Sequence, residues 1–197
     1  MSYSTKEPVY TERLVTESAG WKRFIPVQAP YRWNLQRLNP GLMLDLGCGI
    51  GRNLAHIDGR GVGIDHNESS IQVARARGLK AFTPDDFGMS DFNRAGTFDS
   101  MLVAHVLEHM TEREAVNLVK EYEPLVRKGG RLILITPQEA GFKSDPTHIE
   151  FMDFTRLRSI ASAAGFNASL SEFSFPFPRL VGRFFKHNEF VGVYTRA

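Results

Sequence analysis

The stretch LMLDLGCGIGRNL, residues 42–54, decides the fold. Leu42 to Leu46 is an almost unbroken apolar run, the pattern of a central parallel strand buried on both faces. It runs straight into Gly47, Cys48, Gly49, Ile50 and Gly51, after which Arg52 and Asn53 open a helix. A glycine-rich turn from strand to helix lets a ligand approach the backbone at the carboxyl edge of a parallel sheet. The spacing disfavours a dinucleotide, whose fingerprint needs its third glycine where Arg52 stands. The pattern is instead G-x-G-x-G with Asp45 two residues upstream of the first glycine.

Working outward, apolar runs alternate with helical patterns along the whole chain. Strands are expected at 42–46, 61–65, 80–82, 98–104, 131–136, 167–173 and 190–195, and their alternation with helices predicts an α/β fold with a parallel sheet and crossover helices. Thr111 followed by Glu114 is a capping box that opens a helix expected to run to about Lys128, where Gly129 and Gly130 supply the stop. Further helices are expected from Asn67 to Arg77, from about Thr155 to Ala164, and around APYRWNLQRL in a helical extension, or lid, formed by residues 1–40. Pro176 and Pro178 forbid a central strand in the aromatic stretch 174–189, which is expected to be a loop between the last two strands.

At 197 residues the chain has the length of a single domain with a core of its own. Its 24 basic and 22 acidic residues are scattered rather than gathered in a basic stripe, which argues against a nucleic-acid partner. With one cysteine, Cys48, no intrachain disulfide can form, so a reducing compartment is expected. No apolar run reaches the roughly 18 to 20 residues of a membrane span, and MSYSTKEPVY lacks the apolar centre of a signal peptide. The expectation is a cytoplasmic protein.

Asp65 closes the second strand, a position from which an acidic side chain accepts hydrogen bonds from both hydroxyls of a ribose. Asp45 and Asp65 are equally suited to capping a turn and a helix. Taken together, LDLGCGIGRNL, VGID, FDSMLVAHVLEHM and GGRLILITP resemble the successive motifs of class I S-adenosylmethionine-dependent methyltransferases, over residues 35 to 170 and in the family's order. The resemblance implies a Rossmann-like, seven-stranded, mostly parallel sheet with helices on both faces, and S-adenosylmethionine as cofactor. By position, Asp45, Gly47, Gly49 and Gly51 would lie against its methionine part, joined by His105. Asp65 and its neighbour His66 would meet the ribose. Asp85 or Asp86 would meet the adenine amine, with Phe87 near the ring. Arg32 is a candidate for the cofactor's carboxylate or a plain surface charge. Glu108 and His109 in LEHM are expected to fix local structure.

Beyond the fifth strand stands GFKSDPTHIEF, residues 141–151. Transfer to a hydroxyl needs a base, because a neutral alcohol oxygen is a poor nucleophile, and a histidine serves at neutral pH. His148 is the candidate, with Asp145 and Glu150 as carboxylates to orient its ring and raise its basicity. The same loop with DFTRLRSIASAAGF resembles methyltransferases encoded among bacterial glycan and polysaccharide genes, which implies a sugar or oligosaccharide hydroxyl as acceptor. Asp145, His148, Glu150 and Asp153 also carry ligand-type side chains for a magnesium ion on a vicinal diol, though without a recognised ligand spacing. Two further readings stay open: transfer to another small molecule such as a phenol, carboxylate or amine, and a non-catalytic cofactor-binding partner or sensor. The aromatic tail suits a lid or a contact between two copies.

Overall fold

The computed structural model describes residues 28–197, save the side chains of residues 168 and 169. Residues 1–27 of the expected extension lie outside that range. The strands are β1 (Met43–Leu46), β2 (Gly61–Ile64), β3 (Ala81–Phe82), β4 (Phe98–Ala104), β5 (Val126–Pro137), β6 (Phe166–Phe175) and β7 (Glu189–Arg196). Seven strands of mostly parallel sheet result, in the order β3-β2-β1 among the first three and β4-β5-β7-β6 among the rest. The helices are α1 (Ala29–Arg37), α2 (Arg52–His56), α3 (Glu68–Ala76), α4 (Pro84–Gly88), α5 (Glu112–Tyr122), α6 (Glu139–Phe142) and α7 (Phe154–Ala163). The chain divides into two compact units, one ending at Asn93 and one beginning at Arg94.

In the first unit β1 pairs in parallel with β2, and β2 with β3. Every residue of β1 and β2 is buried, as two-faced cover of a parallel strand requires. Cys48 faces inward onto Ile71, Ala74 and Ala81. A side chain at Gly63 could not coexist with it, since a Cβ there would stand 2.5 Å from Cys48 Sγ. Burial pushes the Cys48 thiol far up from its ordinary pKa, so this cysteine is a packing residue rather than a nucleophile.

In the second unit β4 and β5 run parallel, while β7 is antiparallel to both β5 and β6. Met101, Leu102, Ile133 and Leu134 on the strands and Leu157 and Ile160 on α7 are fully buried. The capping box at Thr111 and Glu114 is present. The helix it opens ends at Tyr122, however, not near Lys128. Pro124 is the reason: it cannot continue the α-helical hydrogen bonding, so residues 123–125 tighten into a 3-10 turn and Val126 already belongs to β5. Gly129 and Gly130 therefore lie inside a strand that is longer than its apolar run.

The aromatic stretch is a loop from Pro176 to Asn188, with a 3-10 turn at Arg179–Arg183 in its middle, while Ser174 and Phe175 still belong to β6. Gln138 and Asn188 tie its base, through Asn188 Nδ2 donating to Gln138 Oε1 at 3.0 Å. Leu180 and Phe184 stay open, at 68% and 88% exposure. No described helix is long and apolar enough to cross a membrane.

Candidate active site

The first unit carries the glycine turn. Gly47, Gly49 and Gly51 have φ of 71°, 50° and 80°, the left-handed region that glycine enters without cost. Gly47 N and Cys48 N both donate to Ile64 O, at 2.8 and 3.1 Å, fastening the turn to the end of β2. Asp65, only 9% exposed, completes the clamp. Its Oδ2 accepts from Gly49 N and its Oδ1 from Asn67 N, each at 2.8 Å. Asn67 then caps α3 by accepting from Ser70 N. One carboxylate thus fixes both the turn and the start of the next helix, and each oxygen keeps a second lone pair for a ligand.

Asp45 is fully buried at the end of β1, with Oδ1 3.5 Å from Asn53 Nδ2. Its Oδ2 has no hydrogen-bond partner. Burial, with the neighbouring charge of Asp65 adding to it and the Asn53 bond opposing it, pushes the carboxyl up to about 7. A buried orphan acceptor beside a three-glycine turn fits a cationic ligand group such as an amino acid ammonium, so this unit suits the methionine part of S-adenosylmethionine.

Of the two aspartates at the start of α4, Asp86 is engaged: it pairs with Arg75 Nη2 at 2.8 Å and its amide donates to Thr83 Oγ1. Asp85 is exposed, and among the described residues no hydrogen bond or ion pair engages its carboxylate. Phe87 is 2% exposed and packs edge-on against Phe82, a core position. His66 is exposed, 3.9 Å from Asp65 Oδ1. Arg32 spends its charge on Asp58 at 3.1 Å.

The second unit carries the histidines. His105 follows β4 with a φ of 57°, in the left-handed region where a non-glycine residue is held at some cost. Its Nδ1 lies 3.2 Å from Glu108 Oε1 and its Nε2 2.9 Å from Glu189 Oε1. Burial works against a charged ring, but these two carboxylates outweigh it and raise the pKa well above the ordinary histidine value. About half of the side chain is open to solvent, and at neutral pH the ring is an imidazolium bridging two carboxylates. Both ring nitrogens are thereby used within the unit.

The loop after β5 holds His148. Its Nδ1 is 2.7 Å from Phe142 O. A carbonyl only accepts, so Nδ1 carries the proton and Nε2 a lone pair, a tautomer assigned from its partner. Phe142 also stacks on the ring at a centroid distance of 5.3 Å, and Ile149 N donates to Glu108 O at 2.7 Å, pinning the loop. Aromatic edges run on from Phe142 to Phe151 and from Phe151 to Phe190, seating it against β7.

The expected helpers do other things. Asp145 Oδ1 accepts from Thr147 N at 2.9 Å and from Thr147 Oγ1 at 2.7 Å. Thr147 in turn accepts from His109 Nδ1 through its Oγ1 at 3.1 Å and its backbone oxygen at 3.2 Å. Glu150 accepts from Glu112 N at 2.7 Å, satisfying the start of α5, and pairs with Arg156. Asp153 caps α7 through Thr155 N and Arg156 N. The orienting partner of His148 is thus a backbone carbonyl, not a carboxylate. The expected magnesium quartet does not assemble, because three of its four members are committed to the backbone or to an arginine. Sequence reasoning missed Glu189 and Thr147 altogether; Glu189 lies 84 residues from His105, and no local pattern signals such a pairing.

The methyltransferase-domain family matches residues 44–134. A ubiquinone biosynthesis O-methyltransferase of Methylocella silvestris is 34% identical over 101 residues, 48% of this chain and 39% of that protein. A tRNA U34 carboxymethyltransferase of Pseudoalteromonas translucida is 28% identical over 126 residues, 59% of this chain and 36% of that one. The chain thus spans well under half the length of these two relatives. Among solved structures, an S-adenosylmethionine-dependent methyltransferase from Archaeoglobus fulgidus superposes with a TM-score of 0.67 at 16% identity, over 89% of this chain and 97% of that one. Magnesium protoporphyrin IX methyltransferase from Synechocystis, solved with S-adenosylhomocysteine bound, gives 0.67 at 16% identity over 98% and 96%. At these identities the likeness shows the fold.

Proposed function

We propose that this chain, whose residues 44–134 match the methyltransferase-domain family, is an S-adenosylmethionine-dependent O-methyltransferase of class I acting on a hydroxyl of a sugar or oligosaccharide. Its base is His148. The observation that carries the reading is the Phe142 carbonyl at 2.7 Å from His148 Nδ1, which leaves Nε2 as a positioned proton acceptor.

Asp45, Gly47, Gly49, Gly51 and Asp65 hold the cofactor, with Asp85 rather than Asp86 at the adenine amine, because Asp86 is already paired with Arg75. Once bound there, S-adenosylmethionine supplies a methyl group activated by its sulfonium. The protein's own task is to seat the acceptor, exclude water and take the hydroxyl proton at Nε2. The Phe142 ring against His148 shields one face of that imidazole from solvent. His105, Glu108 and Glu189 form a charged brace that holds the segment after β4 in its left-handed turn.

A second reading is transfer to an oxygen of another small molecule such as a phenol, in keeping with the relative at 34% identity, which is itself an O-methyltransferase. It needs the same base and the same cradle. An acceptor panel of sugars, phenols, carboxylates and amines, assayed for S-adenosylhomocysteine release, separates the readings. Turnover on sugars that is lost in His148→Ala supports the first, whereas turnover confined to amines would remove the oxygen acceptor and the base together.

A further inference from the structure

Glu108 is a buried carboxylate left half-satisfied. Its side chain is 1% exposed. Oε1 is used by His105, but Oε2 has no hydrogen-bond partner. A buried acceptor without a partner is costly, so such an atom calls for an occupant. The next residue, His109, and His148 from the following loop supply the surroundings. One ligand atom from each of Glu108, His109 and His148 lies within 4.8 Å of those of the other two. The two rings meet edge to face at a centroid distance of 4.8 Å.

The tautomers make this more than proximity. His148 Nδ1 donates to Phe142 O, and His109 Nδ1 donates to Thr147, whose hydroxyl is itself held by Asp145. Both rings are therefore fixed with the proton on Nδ1 and a lone pair on Nε2. A backbone carbonyl on one ring and a carboxylate-backed threonine on the other is the outer support that metal-ligating histidines ordinarily have. Asp145 thereby supports the second ring through Thr147. We propose that Glu108, His109 and His148 form a binding site for one divalent first-row transition ion of the zinc type.

The donor set decides the kind of ion. Two neutral imidazoles and one carboxylate suit zinc, cobalt or iron, whereas magnesium and calcium prefer oxygen ligands throughout. Ligands at roughly 2.0–2.2 Å from a tetrahedral ion sit about 3.4 Å apart. The side chains must then close by no more than about 1.4 Å from the 4.8 Å present. Three protein ligands leave a fourth position open for water or a ligand oxygen. The site does not depend on which acceptor the enzyme uses. It does bear on the base, since Nε2 of His148 holds a proton or a metal ion and never both.

The deciding experiment is a titration of chelator-stripped full-length protein with Co(II), read by the visible d–d bands of a tetrahedral nitrogen and oxygen site, and with Zn(II) by calorimetry. One equivalent is expected to bind with micromolar or tighter affinity, and a hundredfold excess of Mg(II) leaves the bands unchanged. Glu108→Gln and His109→Gln, checked for folding by circular dichroism, each weaken Zn(II) binding at least tenfold. Absence of the bands in the wild-type protein, or Zn(II) affinity unchanged in folded variants, overturns the site. Activity separates this from the role given to His148. Stoichiometric Zn(II) that inhibits agrees with both assignments, and Zn(II) that accelerates transfer keeps the site and overturns the base.

Discussion

Replacing Asp65 with asparagine changes one atom and should loosen both the glycine turn and the cofactor. The carboxylate accepts two backbone hydrogen bonds at 2.8 Å, from Gly49 N and Asn67 N. Hydrogen bonds to a charged acceptor contribute about 1.5–3 kcal/mol each. Asparagine has one acceptor oxygen, so one amide keeps a weaker neutral bond while the other faces an NH2 group, donor against donor. The expected loss is about 2–3 kcal/mol of stability, with no refuge in solvent because the site is 9% exposed. In a protein of this size that lowers the melting temperature by roughly 4–12 °C. Cofactor affinity should fall at least tenfold, about 1.4 kcal/mol, since the same oxygens are assigned to the ribose. Differential scanning calorimetry and titration with S-adenosylhomocysteine check the two halves separately. A melting temperature within about 2 °C of wild type, together with unchanged affinity, would refute the reasoning for both.

Other expectations follow from the same geometry. His148→Ala should lower turnover about 10²- to 10⁴-fold, the range for loss of a general base, while calorimetric cofactor affinity stays within twofold of wild type. Gly51→Ala should destabilise by about 1–2 kcal/mol from its left-handed φ of 80° alone. The new Cβ also stands 2.3 Å from Leu79 Cδ1, and adding Leu79→Ala should relieve that part, which denaturant midpoints can resolve. For Asp45 the folded carboxyl, up to about 7, lies above its ordinary 3.8, so the folded state binds the extra proton between these values. Stability from this group is therefore greatest below pH 4, falls as pH rises towards 7 and is flat above, by up to about 4 kcal/mol. Asp45→Asn should flatten the decline between pH 5 and 7.5 in urea melts, and an unchanged slope would count against the assignment.

Much of the fold could be read in the sequence because its signals are local. Apolar runs alternating with helical patterns placed the first five strands and, more weakly, the last two, and β4 matches its run from Phe98 to Ala104 residue for residue. The capping box placed the start of α5, but the cue chosen for its end was Gly129 and Gly130 rather than Pro124, which acts first along the chain. The glycine turn was equally legible, since glycine enters without cost the left-handed φ found at Gly47, Gly49 and Gly51. The loop after β5 was harder. His148, Asp145 and Glu150 are close in sequence, yet their side chains serve Phe142 O, Thr147 and the start of α5, and only folding decides that. Glu108 shows the same limit from the other side: nothing in LEHM announces that its carboxylate is fully buried with one oxygen unpartnered.

The central claim is that this chain moves a methyl group from S-adenosylmethionine to a hydroxyl oxygen. The most direct test incubates the full chain with methyl-labelled S-adenosylmethionine and the acceptor panel, and locates the label by mass spectrometry and NMR. The account predicts a methyl ether on a sugar hydroxyl, formed at a rate that collapses in His148→Ala and in Asp65→Ala. Label found only on nitrogen or carbon, or no transfer from a protein that binds the cofactor one to one, would contradict it.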